Sequence, residues 1–154
     1  MRRRWWYARP SASGMGASLE PARADDGGAN VKMNLAARHH RARKANRLIC
    51  VIATTGRCLL RYRDRVARLE VSPRGRVFLV DYYTGRRIDT HRSGAWRGWT
   101  GGGTMKELME AFRVFICTGK GLHPEAFGPH TADMWAYGLA MRTVRDTAKE
   151  LGIT

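Results

Sequence analysis

The most constraining part of the chain runs from Ala67 to Arg92, where β-prone residues are cut at short intervals by two turn signatures. Ala67, Leu69 and Val71 alternate with Arg68 and Glu70, the period-two pattern of a strand with one covered face. Ser72-Pro73-Arg74-Gly75 reads as a turn, since proline presets φ and glycine accepts the positive φ of a tight reversal. Arg76 to Tyr82 is a second β-rich run, Thr84-Gly85 a second turn, and Arg87 to Arg92 the return. Connections this short join antiparallel neighbours, so the segment is predicted to be a three-stranded meander. A short strand over Cys58 to Tyr62 would extend it to four. The middle run, Val77-Phe78-Leu79-Val80, is apolar on both faces, so both are expected to be covered over part of their area.

Helical periods flank the meander. From Asn34 to Thr54, Ala45, Leu48, Ile49 and Ile52 share one face, and Gly56 is placed to end the helix. After Gly101-Gly102-Gly103, the run Thr104-Met105-Lys106-Glu107 has the spacing of a capping box, in which hydroxyl and carboxylate satisfy each other's backbone N–H groups. Met105, Leu108, Met109, Phe112 and Phe115 then form an apolar face up to Gly119. A Gly- and Pro-containing loop leads to a last helix, predicted to start near Thr131 or Asp133 and to carry Met134, Tyr137, Met141, Val144, Ala148 and Leu151. Trp135 lies off the centre of that stripe and is expected to be partly exposed. The fold class is α+β: an N-terminal helix, a three- or four-stranded antiparallel meander, then two C-terminal helices.

Residues 1–32 have a basic start and a Gly- and Ala-rich remainder without sustained period, so they are expected to be a disordered extension. Residues 33–154 are expected to form a single α+β domain, and Met33 is an alternative translation start. The basic start is not followed by the apolar run of a secretory signal. The longest apolar stretch, Leu48 to Ala53, has six residues, against roughly 20 for a helix that crosses a bilayer, so no membrane partner is expected.

Charge bears most directly on function. The 154-residue chain has 28 Lys and Arg against 13 Asp and Glu, a formal charge of +15. Residues 38–97 hold sixteen of the basic residues and only Asp64, Glu70, Asp81 and Asp89 as acids, a net of +12, whereas residues 98–154 are neutral. A charge of this size and segregation favours a polyanionic partner. His40, Arg43, Lys44 and Arg47 follow i, i+3, i+4, i+7 spacing and form a basic stripe on the first helix. Arginine and aromatic residues interleave in Arg61-Tyr62-Arg63, in Tyr82-Tyr83 followed by Arg86-Arg87, and in Trp96-Arg97-Gly98-Trp99. Aromatic faces stack on bases and guanidinium groups pair with phosphates, so the mixture suits nucleic acid.

Catalytic and cofactor signatures are absent. His39 and His40 are adjacent, hence about 100° apart on a helix, and no Cys-x-x-Cys or His-Glu-x-x-His spacing occurs. Cys50 and Cys117 stand among apolar residues and are read as core; three cysteines form no disulfide framework, and a reducing compartment is the default. Asp81, Asp89 and His91 fall on neighbouring strands, but a turn role for Asp81 and an arginine partner for Asp89 are the simpler readings. The triple glycine lacks the Lys-Ser/Thr pair of a P-loop. Neither an enzyme nor a cofactor is expected.

The run Arg76-Val-Phe-Leu-Val-Asp-Tyr-Tyr-Thr-Gly-Arg-Arg-Ile-Asp-Thr-His91, with Trp96-Arg-Gly-Trp-Thr-Gly-Gly-Gly-Thr104 and Trp135-Ala-Tyr137-Gly138, resembles a pattern in small phage and prophage proteins of unassigned function, over about residues 57–154. The resemblance implies a mobile-element origin and the cytoplasm of a bacterial host; it implies no catalytic residues. The leading expectation is non-enzymatic nucleic-acid binding of low sequence specificity through His40, Arg43, Lys44, Arg47, Arg61, Arg63, Arg86 and Arg87. The alternative is a protein-interaction module that inhibits or modulates a host defence or replication complex, with Trp96, Arg97 and Trp99 as its patch.

Overall fold

The computed structural model describes residues 27–55, 59–92, 103–127 and 135–154. Helix α1 spans Gly27–Ala53 and is followed by β1 (Arg61–Tyr62), β2 (Arg65–Val66), β3 (Arg68–Val71), β4 (Val77–Val80) and β5 (Arg87–Asp89). Helix α2 is Gly103–Thr118, a 3-10 turn covers Pro124–Phe127, and α3 is Leu139–Glu150. The arrangement is α+β. The meander has three strands in the order β3-β4-β5, and β1 and β2 form a separate two-stranded hairpin ahead of it. The hairpin stands apart because Leu60 adopts a positive φ of 60°, which turns the chain before Arg61; Leu60 O then accepts from Ala67 N at 2.9 Å. The side chain of Leu60 is fully buried, and that burial offsets a backbone conformation that costs a non-glycine residue about 1–2 kcal/mol.

Register explains which meander residues reach the core. Arg68, Val80 and Arg87 are opposite one another, as are Leu69, Leu79 and Ile88, and Glu70, Phe78 and Asp89. Side chains alternate between faces, so Leu69, Val77 and Leu79 point to the helices and are buried, whereas Arg68, Glu70, Arg87 and Asp89 lie on the outer face. Phe78, on that outer face, is half-buried under Arg87, whose guanidinium carbon lies 4.4 Å from its ring centroid. Val80 is buried as well, so both faces of β4 are covered over part of their area. The core joins Leu48, Ile49 and Ile52 of α1 to the inner sheet face, to Leu108, Met109, Phe112 and Ile116 of α2, and to Met141, Val144 and Ala148 of α3.

Two arginines of α1 bind the frame together. Arg38 donates to Gly75 O at 2.7 Å, and its guanidinium occupies the place of a side chain there: a Cβ on Gly75 would lie 2.7 Å from Arg38 Nη1. Glycine is favoured at that turn for its φ of +77°, and a Cβ there would push aside the end of the Arg38 side chain. Arg41 donates to Ile116 O at 2.8 Å, satisfying a carbonyl of the last turn of α2 and placing positive charge at the negative end of its dipole.

Several expectations are corrected. α1 begins at Gly27, ahead of Asn34, because Ala29 to Lys32 contain no breaker. α2 is already under way at Gly103, one residue before the expected cap at Thr104. Among the described residues the last helix begins at Leu139, because Gly138 takes φ 47° and breaks the run; the expected start at Thr131 or Asp133 lies outside the described residues. Trp135 precedes that break; it is 3% exposed and core, not partly exposed, and its carbonyl accepts from Thr55 Oγ1 at 3.0 Å. Cys50 is exposed, since it falls on the side of α1 away from Leu48 and Ile52, and Cys117 is half-buried. Residues 1–26 and Cys58 lie outside the described residues.

Candidate nucleic-acid interface

The acid-poor block divides into arginines engaged in structure and arginines facing solvent. Arg38 and Arg41 are of the first kind. On the outer sheet face Glu70 pairs with Arg68 at 3.0 Å and with Arg87 at 3.2 Å, and Asp89 pairs with Arg76 at 2.8 Å and Arg92 at 3.6 Å. Each carboxylate there meets two guanidinium groups, so the face stays basic after pairing. Arg43, Arg47, Arg63, Arg65 and Arg86 are solvent-facing or partly so and form no ion pair among the described residues.

On α1, His40, Arg43 and Arg47 are exposed, and Lys44 is half-buried. At 100° per residue they lie opposite Ala45, Ile49 and Ile52, which fixes the stripe to the solvent side. The stripe fans out at its edges. Lys44 leans toward the end of α3, its Nζ 3.8 Å from the place of a Cβ on Gly152. Arg43 leans the other way, into a groove of about 340 Å³ between α1 and β3. His39, Asn46, Glu70, Val71 and Arg87 line the same groove. A helix residue and a sheet residue of the expected set, Arg43 and Arg87, are thus brought onto one concavity.

The second concentration lies where the β1–β2 hairpin meets the β4–β5 reversal. Arg63 holds the hairpin tip at φ 54°, a conformation that glycine adopts without cost, and Arg61 Nε donates to Arg63 O at 2.8 Å. The Tyr62 and Tyr83 rings meet edge to face, with centroids 4.7 Å apart and planes at 64°. Arg63 covers one side of Tyr62, its guanidinium carbon 5.3 Å from the centroid. Arg65 Nη1 lies 3.9 Å from the place of a Cβ on Gly85, and Arg86 is exposed on the same reversal. Arg63 is thus set against Tyr62, Arg61 is tied to Arg63, and Arg86 is exposed on the reversal that carries Tyr83, one residue before Arg87 of the groove.

Asp81 shapes the reversal that carries Tyr83. Its carboxylate accepts from Tyr83 N at 3.2 Å, Thr84 N at 2.8 Å and Thr84 Oγ1 at 2.6 Å. Partial burial pushes its pKa up, but the three hydrogen bonds to the ionised form outweigh that and hold it below the usual value. Its role is that of a turn residue. His91 is equally structural: Nε2 accepts from Val77 N at 3.2 Å, while Asp89 is engaged with Arg76. Asp81, Asp89 and His91 each have a backbone or ion-pair partner. No group of three or more His, Cys, Asp or Glu that could hold a metal ion occurs among the described residues.

Sequence reasoning missed His39 and Arg65, and it did not foresee that Tyr62 and Tyr83 meet. Their place in arginine–aromatic runs was visible; the contact depends on how the hairpin packs on the meander. Trp96, Arg97 and Trp99 lie outside the described residues. Among those residues no helix is long and apolar enough to cross a membrane.

The family described as YoqU matches residues 36–154 of the chain, a span that takes in the basic half of α1, the meander and both later helices. A curated relative, the SPbeta prophage-derived uncharacterized protein YoqU of Bacillus subtilis (strain 168), is 32% identical over 93 residues, which cover 58% of this chain and 64% of that protein. The match thus spans less than two thirds of the relative's length. No solved structure matches.

Proposed function

The chain belongs to the YoqU family, and from that premise we propose that it is a small prophage-type protein that binds nucleic acid in the cytoplasm of a bacterial host. It does so without catalysing a reaction and with little sequence specificity. The observation that carries this reading is the convergence of Arg43 from α1 and Arg87 from β5 on one groove. Arg43 of the helix stripe and Arg87 of the sheet line that groove with one carboxylate, Glu70, which leaves it basic. Guanidinium groups aimed at phosphates position a protein on nucleic acid without reading base sequence, hence the low specificity.

Neutralised phosphates release counterions, so affinity falls with salt by about 0.9 log unit per log unit of salt for each contact on a duplex and about 0.7 on a single strand. Gel-shift titrations with single- and double-stranded DNA and RNA across a salt series test the proposal. Binding that is tight at about 50 mM salt and falls steeply above it is expected. Absence of binding to all four at that salt would end the proposal.

A further inference from the structure

We infer that the Tyr62–Tyr83 pair is a base-stacking platform and that the ligand of this surface is a single strand, an inference that rests on the nucleic-acid reading above. Tyr83 is 62% exposed and Tyr62 38%, although burying either ring would stabilise the fold. Their edge-to-face contact keeps the two rings from covering each other as a sandwich would. Arg63 already lies over Tyr62, so the open ring surface belongs mainly to Tyr83.

The platform is also held in place. Three hydrogen bonds to the Asp81 carboxylate fix the reversal that carries Tyr83, so little order remains to be imposed on its backbone when a ligand arrives. Arg63 sits at φ 54°, where glycine would be the less costly residue, and what the arginine adds there is a cation above an aromatic ring. Arg61 precedes Tyr62 on β1, and Arg86 is exposed on the same reversal as Tyr83.

This chemistry discriminates between strands. A duplex presents phosphates and base edges and keeps the faces of its bases inside the stack, where a tyrosine mounted on a turn cannot reach them. A single strand offers a face at every base, and an aromatic ring amid cations takes the base and its phosphates together. Stacking is indifferent to base identity, which agrees with low sequence specificity.

The test is fluorescence anisotropy of the full chain with labelled single strands of about 16 nucleotides, DNA and RNA of one mixed sequence, and with the corresponding duplexes, at about 50 mM salt. Tyr83→Ala is expected to weaken single-strand binding roughly tenfold or more, Tyr83→Phe to stay near the parent, and duplex binding to be insensitive to both changes. The exposure of Tyr83 makes these variants safe for folding, and unchanged circular dichroism verifies it. Tyr83-dependent binding of either sugar type supports the inference. Equal affinity for single strand and duplex, or single-strand binding unaffected by Tyr83→Ala, overturns it while leaving nucleic-acid binding in place. Loss of binding to every probe, parent included, instead removes the underlying function.

Discussion

Asn46 pairs with both backbone groups of Leu69: its Nδ2 donates to Leu69 O at 2.9 Å, and its Oδ1 accepts from Leu69 N at 2.7 Å. Leu69 lies on β3, an edge of the three-stranded sheet, and its N–H and C=O point away from β4. A side chain of α1 therefore completes the ladder where a fourth strand would otherwise pair. The same contact fixes the spacing of α1 and β3, and so the groove that Arg43 and Arg87 share.

Asn46→Ala leaves two half-buried backbone groups without a protein partner. The expected cost is about 1–3 kcal/mol of unfolding free energy, measured by urea denaturation. A change under a few tenths of a kcal/mol would show that water satisfies Leu69 as well as the amide does.

His91 makes stability depend on pH in a stated direction. Partial burial lowers its pKa from 6.5, and the neighbouring cations Arg113 of α2, Arg76 ahead of β4 and Arg38 of α1 add to this, against the opposing carboxylate of Asp89. Its Nε2 is an acceptor for Val77 N–H, a role only the neutral ring can fill. The folded state thus binds the proton less readily than the unfolded chain, so this contribution is present above 6.5 and is lost as pH falls through the lowered folded value. Thermal melts from about pH 7.5 to about pH 5 are expected to show a decline that His91→Gln flattens, because the amide oxygen still accepts and has no charge to gain. An equal decline in the variant would place the effect elsewhere.

Arg63→Gly separates stability from binding. Glycine takes φ 54° without the penalty of a side chain, so the variant is expected to gain up to about 1 kcal/mol of stability. It also removes the cation over Tyr62, and single-strand affinity is expected to fall severalfold. Stability and affinity that rise together would contradict the assignment of Arg63 to the ligand surface.

How legible this molecule is from its residues depends on the range of the interactions concerned. The meander was readable because Leu69 and Val71 alternate with charges and the turns at Gly75 and Gly85 are local chemistry, and both glycines do take positive φ. The start of the last helix is not legible because the pattern from Met134 to Leu151 is continuous, whereas Gly138 takes φ 47° ahead of Leu139. The stripe on α1 was found, since period alone sets a helix face. An arginine partner for Asp89 is foreseeable, but other long-range pairings are not: Asn46 with Leu69, Arg41 with Ile116, Tyr62 with Tyr83. Arg38 and Arg41 look like Arg43 and Arg47 in the sequence, and only tertiary structure divides brace from surface.

Contact of Arg43 and its neighbours with phosphates is read from the slope of log affinity against log salt for a single strand, parent against Arg43→Ala. Alanine preserves the exposed helix position, so folding is unaffected. Parental binding is expected to be measurable at about 50 mM salt, with a slope that becomes shallower by about 0.7 in the variant, the loss of one phosphate contact. A slope that is the same for both proteins, or no parental binding at that salt, would contradict phosphate contact at Arg43.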